Sequence, residues 1–340
     1  MPFAQYKNGN LNYSIVVPSF TVRDATGTTG FAVTNATGGL ARNTALTEFH
    51  SGGAVTAGAS YVVTGDASIP GGRQFWALSA RGSGALTLES YAVINGLVME
   101  EGSGDFTVSG GATARLGMGS THTFYIHQHS LAGSLVYDCL MLGEYMKMGP
   151  GKMILKRATE STSLNESVLR VIEGEVEVQG VLPDATRIHR VFGGGTLSGS
   201  GRIASSVTVH PGGILDGSHV STNAMTIGGA LKLKRGSSLA VDLGSQTHEA
   251  LQVAGAVTNE GADMRLALAE RPRVGVPLTL VASGTAISAP FSTVNGAALG
   301  PAGDFSLDYD GESFKFVLEQ TVAQAAAVCV TASPTLPIIR

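Results

Sequence analysis

Four places in the sequence combine residue types that could do chemistry. The densest is Thr121-His122-Thr123-Phe124-Tyr125-Ile126-His127-Gln128-His129. Side chains on a strand alternate, so Tyr125, His127 and His129 share one face while His122, Phe124 and Ile126 share the other. Two histidines on one strand face hold a metal only if a neighbouring segment brings a third ligand. No acidic residue lies within the segment, and solvent-facing polar histidines are the simpler reading. The second place is Glu100-Glu101. Adjacent strand residues point to opposite sides, which is poor geometry for an acid/base couple. The third, Asp308, Asp310 and Glu312, resembles a calcium set, yet Asp310-Gly311 between Leu307 and Phe314 reads more simply as a turn. The fourth is Trp76 beside Phe75. An exposed sugar-stacking pair and a packed core are both open to it, and large aromatics are usually buried.

Other chemical patterns fall short sooner. Gly199-Ser200-Gly201 is not the strand–turn–helix context of a nucleophile elbow. Gly193-Gly194-Gly195 is followed by neither Lys-Ser/Thr nor a helical pattern, so it does not read as a phosphate cradle. The two cysteines, Cys139 and Cys329, permit one disulfide, but a free Cys139 buried in the apolar run Leu135 to Leu142 fits as well. No catalytic, cofactor-binding or metal residue is therefore assigned, and no cofactor is expected.

The elements that would carry these residues are short strands. Leu169 and Val171, then Val176 and Val178, face one way while Glu175, Glu177 and Gln179 face the other. Leu231 and Leu233 alternate with Lys232 and Lys234; Leu239, Val241 and Leu243 alternate with Ala240 and Asp242. Phe314, Phe316 and Leu318 follow the same rule. Each pattern is a strand with one buried face. Paired glycines punctuate the chain, among them Gly110-Gly111, Gly194-Gly195, Gly212-Gly213 and Gly228-Gly229. Several of the gaps are near multiples of about twenty residues, the period of a solenoid coil. Asn-Gly and Asp-Gly hairpin signals are too few to join so many strands in antiparallel pairs.

The apolar content is 43% and the charged content only 14%, which excludes a disordered chain. With 22 basic against 26 acidic residues, no basic cluster exceeds Lys156-Arg157 or Lys234-Arg235, so nucleic acid is excluded as a partner. No apolar run approaches the ~18–20 residues of a membrane-spanning helix. The first twenty residues lack the basic start and apolar stretch of a signal peptide, so Met1 either opens a mature fragment or the chain leaves the cell by another route.

Gly149-Pro150-Gly151-Lys152-Met153-Ile154-Leu155, a polar stretch to Ser167, and Val168-Leu169-Arg170-Val171-Ile172-Glu173-Gly174-Glu175-Val176-Glu177-Val178 closely resemble the autotransporter-associated β-strand repeat. Gly194-Gly195-Thr196-Leu197-Ser198-Gly199-Ser200-Gly201-Arg202-Ile203 is similar to a further coil, and Met225 to Leu318 is similar to the C-terminal end of such passengers. The likeness is good over 145–320, weaker over 80–145 and poor over 1–80. It implies an all-β, right-handed parallel β-helix with an N-terminal cap. The expected division is a cap or irregular β region at 1–80, the solenoid at 81–320 and a tail at 321–340. At roughly twenty residues per coil, an all-solenoid chain would stack about fifteen coils into a rod of some 60–70 Å. After Glu319 only about twenty residues remain, too few for a translocation barrel.

The resemblance implies a bacterial secreted or cell-surface module with a structural or adhesive role rather than an enzymatic one. Its partners would be copies of itself, forming filaments or a surface layer, or a host or cell-surface glycan or protein. The alternative is a carbohydrate-active β-helix, a polysaccharide lyase or tailspike-like depolymerase. That alternative needs at least two carboxylates from adjacent coils lining one groove.

Overall fold

A computed structural model describes residues 16–34, 40–44, 46–51, 59–74, 76–117, 123–140, 143–157, 168–182, 186–217, 224–243, 251–268, 277–291, 293–294, 297–298, 305–309 and 313–318. Among them there is no helix. The chain winds into a parallel β-solenoid with three faces. The first face is an eleven-stranded sheet running from Thr47–Glu48 to Val257–Asn259. The second is twelve-stranded, from Ala67–Ile69 to Ala297–Ala298. The third face is split between a short sheet (Arg73–Gln74, Tyr91–Val93, Arg115–Gly117) and a later one that begins at Val181–Leu182.

Alternation decides which residues form the core, and register stacks them into columns. On the second face Phe106, Leu135, Met153, Val176, Leu197, Leu215, Leu239, Met264 and Val294 lie in register. All nine are buried. On the first face the inward column is Tyr61, Leu78, Leu97, Ile126, Lys147, Val171, Val191, Val209, Leu233 and Asn259. Leu239 and Val241 face inward while Lys232 and Lys234 are half-exposed, as the alternation requires. The side chains of Leu243, Phe314, Phe316 and Leu318 lie outside the described residues.

The corner between the first and second faces is built on glycine. Gly174, Gly194, Gly212, Gly236 and Gly261 all have φ between 70° and 101°, the left-handed region that side chains avoid. Their amides form a ladder down the rod: Gly174 donates to Gly194 (3.0 Å), Gly194 to Gly212 (3.2 Å), Gly212 to Gly236 (2.7 Å) and Gly236 to Gly261 (3.4 Å). Of the glycine pairs in the sequence, Gly194-Gly195 and Gly212-Gly213 belong to this turn, whereas Gly110-Gly111 closes a strand of the second face and Gly228-Gly229 follows Thr226–Ile227 of the third.

The rod is shorter than fifteen coils. Eleven strands spaced ~4.8 Å apart give about 48 Å. Coil length varies from fourteen residues (Thr47 to Tyr61) to thirty (Met264 to Val294), and the described chain passes into antiparallel elements at both ends. Near the C-terminus, Leu278–Ser283 pairs antiparallel with Ser313–Leu318, which pairs antiparallel with Phe305–Tyr309. Near the N-terminus, β1 (Val16–Arg23), β2 (Thr29–Thr34) and β3 (Leu40–Arg42) form a separate antiparallel sheet. Parallel pairing begins at Thr47, within the segment expected to be a cap or irregular region. The three-stranded sheet lies against the outward side of the first face, with Phe31 and Val33 packed on Ala77 and Val98. It covers the flank of the rod.

Candidate functional site

Ionisable groups in unusual surroundings converge on one corner of the solenoid, around the strands Thr123–Gln128 and Glu144–Met148. Lys147 occupies an inward column position, directly between Ile126 and Val171, and is fully buried. Its ammonium donates to the carbonyls of Gly149 and Gly151 at 2.5 Å each and of Glu173 at 2.7 Å. Three donors meet three acceptors, so the charge is held by backbone from two successive turns. Burial pulls the lysine down to about 7, against the opposing pull of Glu173 and Glu175. Glu173 completes the corner by accepting the Gly149 amide at 3.1 Å, where coils further down use a glycine carbonyl.

One coil above, Gln128 is also buried, and its amide donates to the Gly133 carbonyl at 2.8 Å and the Lys152 carbonyl at 3.1 Å. Ser130 is buried beside it and donates to the Ser103 carbonyl. A polar seam therefore runs inside this corner. Its members satisfy backbone groups that would otherwise be orphaned in an apolar interior.

The histidine strand behaves partly as its alternation requires. His127 and His129 share the outward face and their rings stack at 6.0 Å. That face is not solvent here, because β1–β3 lies over it: His127 is buried and Phe31 meets it edge-on at 5.8 Å. His129 Nε2 is 3.2 Å from Thr21 Oγ1, and burial lowers its pKa. No group of three metal-ligating side chains forms among the described residues. His122 lies outside them.

The remaining candidates are separated. Glu100 is buried and takes two hydrogen bonds from Arg81, at 2.8 and 3.1 Å, while Glu101 turns to Arg23 and Thr29 of the covering sheet. Asp308 pairs with Lys315 in antiparallel register, and Asp310 and Glu312 lie outside the described residues. Trp76 is half-buried against the Phe31 cluster, and Phe75 lies outside the described residues. Cys139 is a free, buried thiol that burial pushes up to about 12, which leaves it unreactive as a nucleophile. Cys329 is outside the described residues. Lys147 carried a sequence signal that points to its position: Tyr145 and Lys147 share a face, and Tyr145 is fully buried.

Gly174 abuts the lysine cage, and this predicts a large local effect. A Cβ there would stand 2.4 Å from Lys147 Nζ and 2.5 and 2.6 Å from the carbonyls of Gly149 and Gly151. Gly174→Ala is expected to lower stability by about 3 kcal/mol, from steric conflict added to positive φ. Gly102→Ala is the control. Its φ is +73° with nothing within 4 Å of the added Cβ, so only about 1 kcal/mol is expected. Urea unfolding of both variants checks the contrast.

No family model matches the chain, and none of the curated proteins matches it. The class is defined by the architecture: an all-β protein whose parallel strands stack into a β-solenoid. No helix among the described residues is long and apolar enough to cross a membrane.

Proposed function

We propose that the chain is a non-catalytic structural or adhesive module of the secreted or cell-surface kind, a passenger-like solenoid that acts by contact. The observation that carries this reading is the use of its carboxylates. Glu100 pairs with Arg81, Glu144 with Arg170, Glu175 and Glu177 with Lys152, Asp138 with Arg157, and Glu260 with Lys232. Each pair links neighbouring coils, as braces of a rod would. Among the described residues, the carboxylates whose titration moves, Asp24 and Glu260, both move downward, away from general-acid behaviour. A groove of about 520 Å³ on the third face, between Arg202, Gln252 and Ser283, is lined by no carboxylate. It suits a neutral or acidic sugar as a contact surface better than as a place of cleavage.

The purified protein should bind itself or members of a glycan and surface-protein panel and release no new reducing ends or unsaturated sugars. Electron microscopy for filaments and a polysaccharide turnover assay read these in parallel. Turnover abolished by Glu100→Gln or Glu177→Gln would establish the carbohydrate-active alternative instead.

A further inference from the structure

The sheet β1–β3 has its own turn chemistry but borrows its core. Asp24 closes the β1–β2 turn through the Thr26 and Thr28 amides and pairs with Arg42 at 2.6 Å. Its apolar side, by contrast, is buried only because Phe31 and Val33 rest on Ala77 and Val98 of the first face. Beside this patch the contact becomes polar and ionisable. Thr21 meets His129, Thr29 donates to Glu101 at 3.0 Å, and Arg23 lies 3.2 Å from the same carboxylate. β3 ends at Arg42 and the first solenoid strand begins at Thr47, so sheet and rod are close neighbours in the chain.

We propose that β1–β3 is an acid-released flap, held on the flank of the rod at neutral pH and let go when the covered His129 takes up a proton. Docking shields the His129 ring from water, so a proton on it is better solvated with the flap open. Every charged element packed around His129 enters the balance. Glu101, after the strand Gly96–Met99, and Glu173, at the corner turn, favour its cation; Arg23 of β1 and Lys147 of the neighbouring strand oppose it, and burial outweighs the rest.

The sign follows from linkage. His129 has a pKa in the closed state below its ordinary 6.5, so docking is complete above that value and weakens as pH falls through and below it. The flap then exposes Ala77, Val98 and His127, all buried in the closed state. Hydrogen exchange on the full chain, corrected for intrinsic rates, reads this directly. Between pH 7.5 and 5.5, amides of β1–β3 should lose protection roughly tenfold while Ser206–Val209 and Leu231–Leu233 keep theirs. The H127Q/H129Q double variant should flatten that response, whereas Glu101→Gln should loosen the flap at both pH values and leave the response in place. Because glutamines could themselves disturb the flap, the reciprocal measurement is independent. Phe31→Ala, which undocks the flap, should raise the His129 pKa towards 6.5 in an NMR titration. Equal protection at both pH values, an undiminished acid response in the double variant, or an unmoved His129 in Phe31→Ala would each overturn the proposal.

Discussion

Lys147→Glu is expected to lower stability by at least about 4 kcal/mol, enough to unfold a marginal rod, whereas Lys147→Met should stay within about 2 kcal/mol of the parent. The position faces the core between Ile126 and Val171, so hydrophobicity alone would rank methionine above lysine. Two opposing effects decide the outcome. Methionine removes a buried cation, which relieves its desolvation, but it withdraws the donor from the carbonyls of Gly149, Gly151 and Glu173. An orphaned buried carbonyl costs about 1–3 kcal/mol, so the two effects are of similar size. Glutamate has no such compensation. It turns a negative charge towards three carbonyl oxygens, with Glu173 and Glu175 close by.

The same lysine gives a pH signature. Its pKa is about 7 in the folded chain against 10.5 ordinarily. Between these values the unfolded chain binds the proton that the folded chain releases, so stability rises with pH across that window. The contribution is full above 10.5 and is lost as pH falls to about 7. Urea midpoints of the parent should therefore gain on those of Lys147→Met between pH 7 and pH 9. A constant difference would mean that the three carbonyls hold the proton throughout.

The second large effect separates the two sides of one sheet corner. Val241→Asp should cost about 4 kcal/mol, because Val241 is buried and stacks in register on the buried Leu266, so the carboxylate would be set in an apolar interior. Lys232→Asp should cost less than about 1 kcal/mol. Lys232 is half-exposed, and its ion pair with Glu260 at 2.6 Å lies in water. Chemical denaturation of both variants measures the difference. Similar losses would place Val241 or Lys232 on the wrong side of its strand.

Much of the fold is legible in local pattern. Leu169 with Val171, Val176 with Val178, Leu231 with Leu233 and Leu239 with Val241 announce their buried faces by alternation, because a strand's side chains can point only two ways. Gly194 and Gly212 announce the turns, because a left-handed turn excludes a Cβ. The candidate site was less legible. Alternation placed His127 and His129 together on one face, yet it had no means of showing that β1–β3, at Val16–Arg42, would cover them.

The sequence by itself therefore determined the class of the protein, the inward side of its strands and the glycine corners, since each depends on a residue and its immediate neighbours. The tertiary structure alone decided which coil rests on which. Coils of fourteen to thirty residues have no constant period from which register can be counted. Register is what sets Lys147 between two aliphatic residues and brings Gly149, Gly151 and Glu173 around its ammonium. It also breaks the third face and leaves the flank on which the N-terminal sheet lies. Those are contacts between distant segments, and they are settled by which packing satisfies every buried polar group at once.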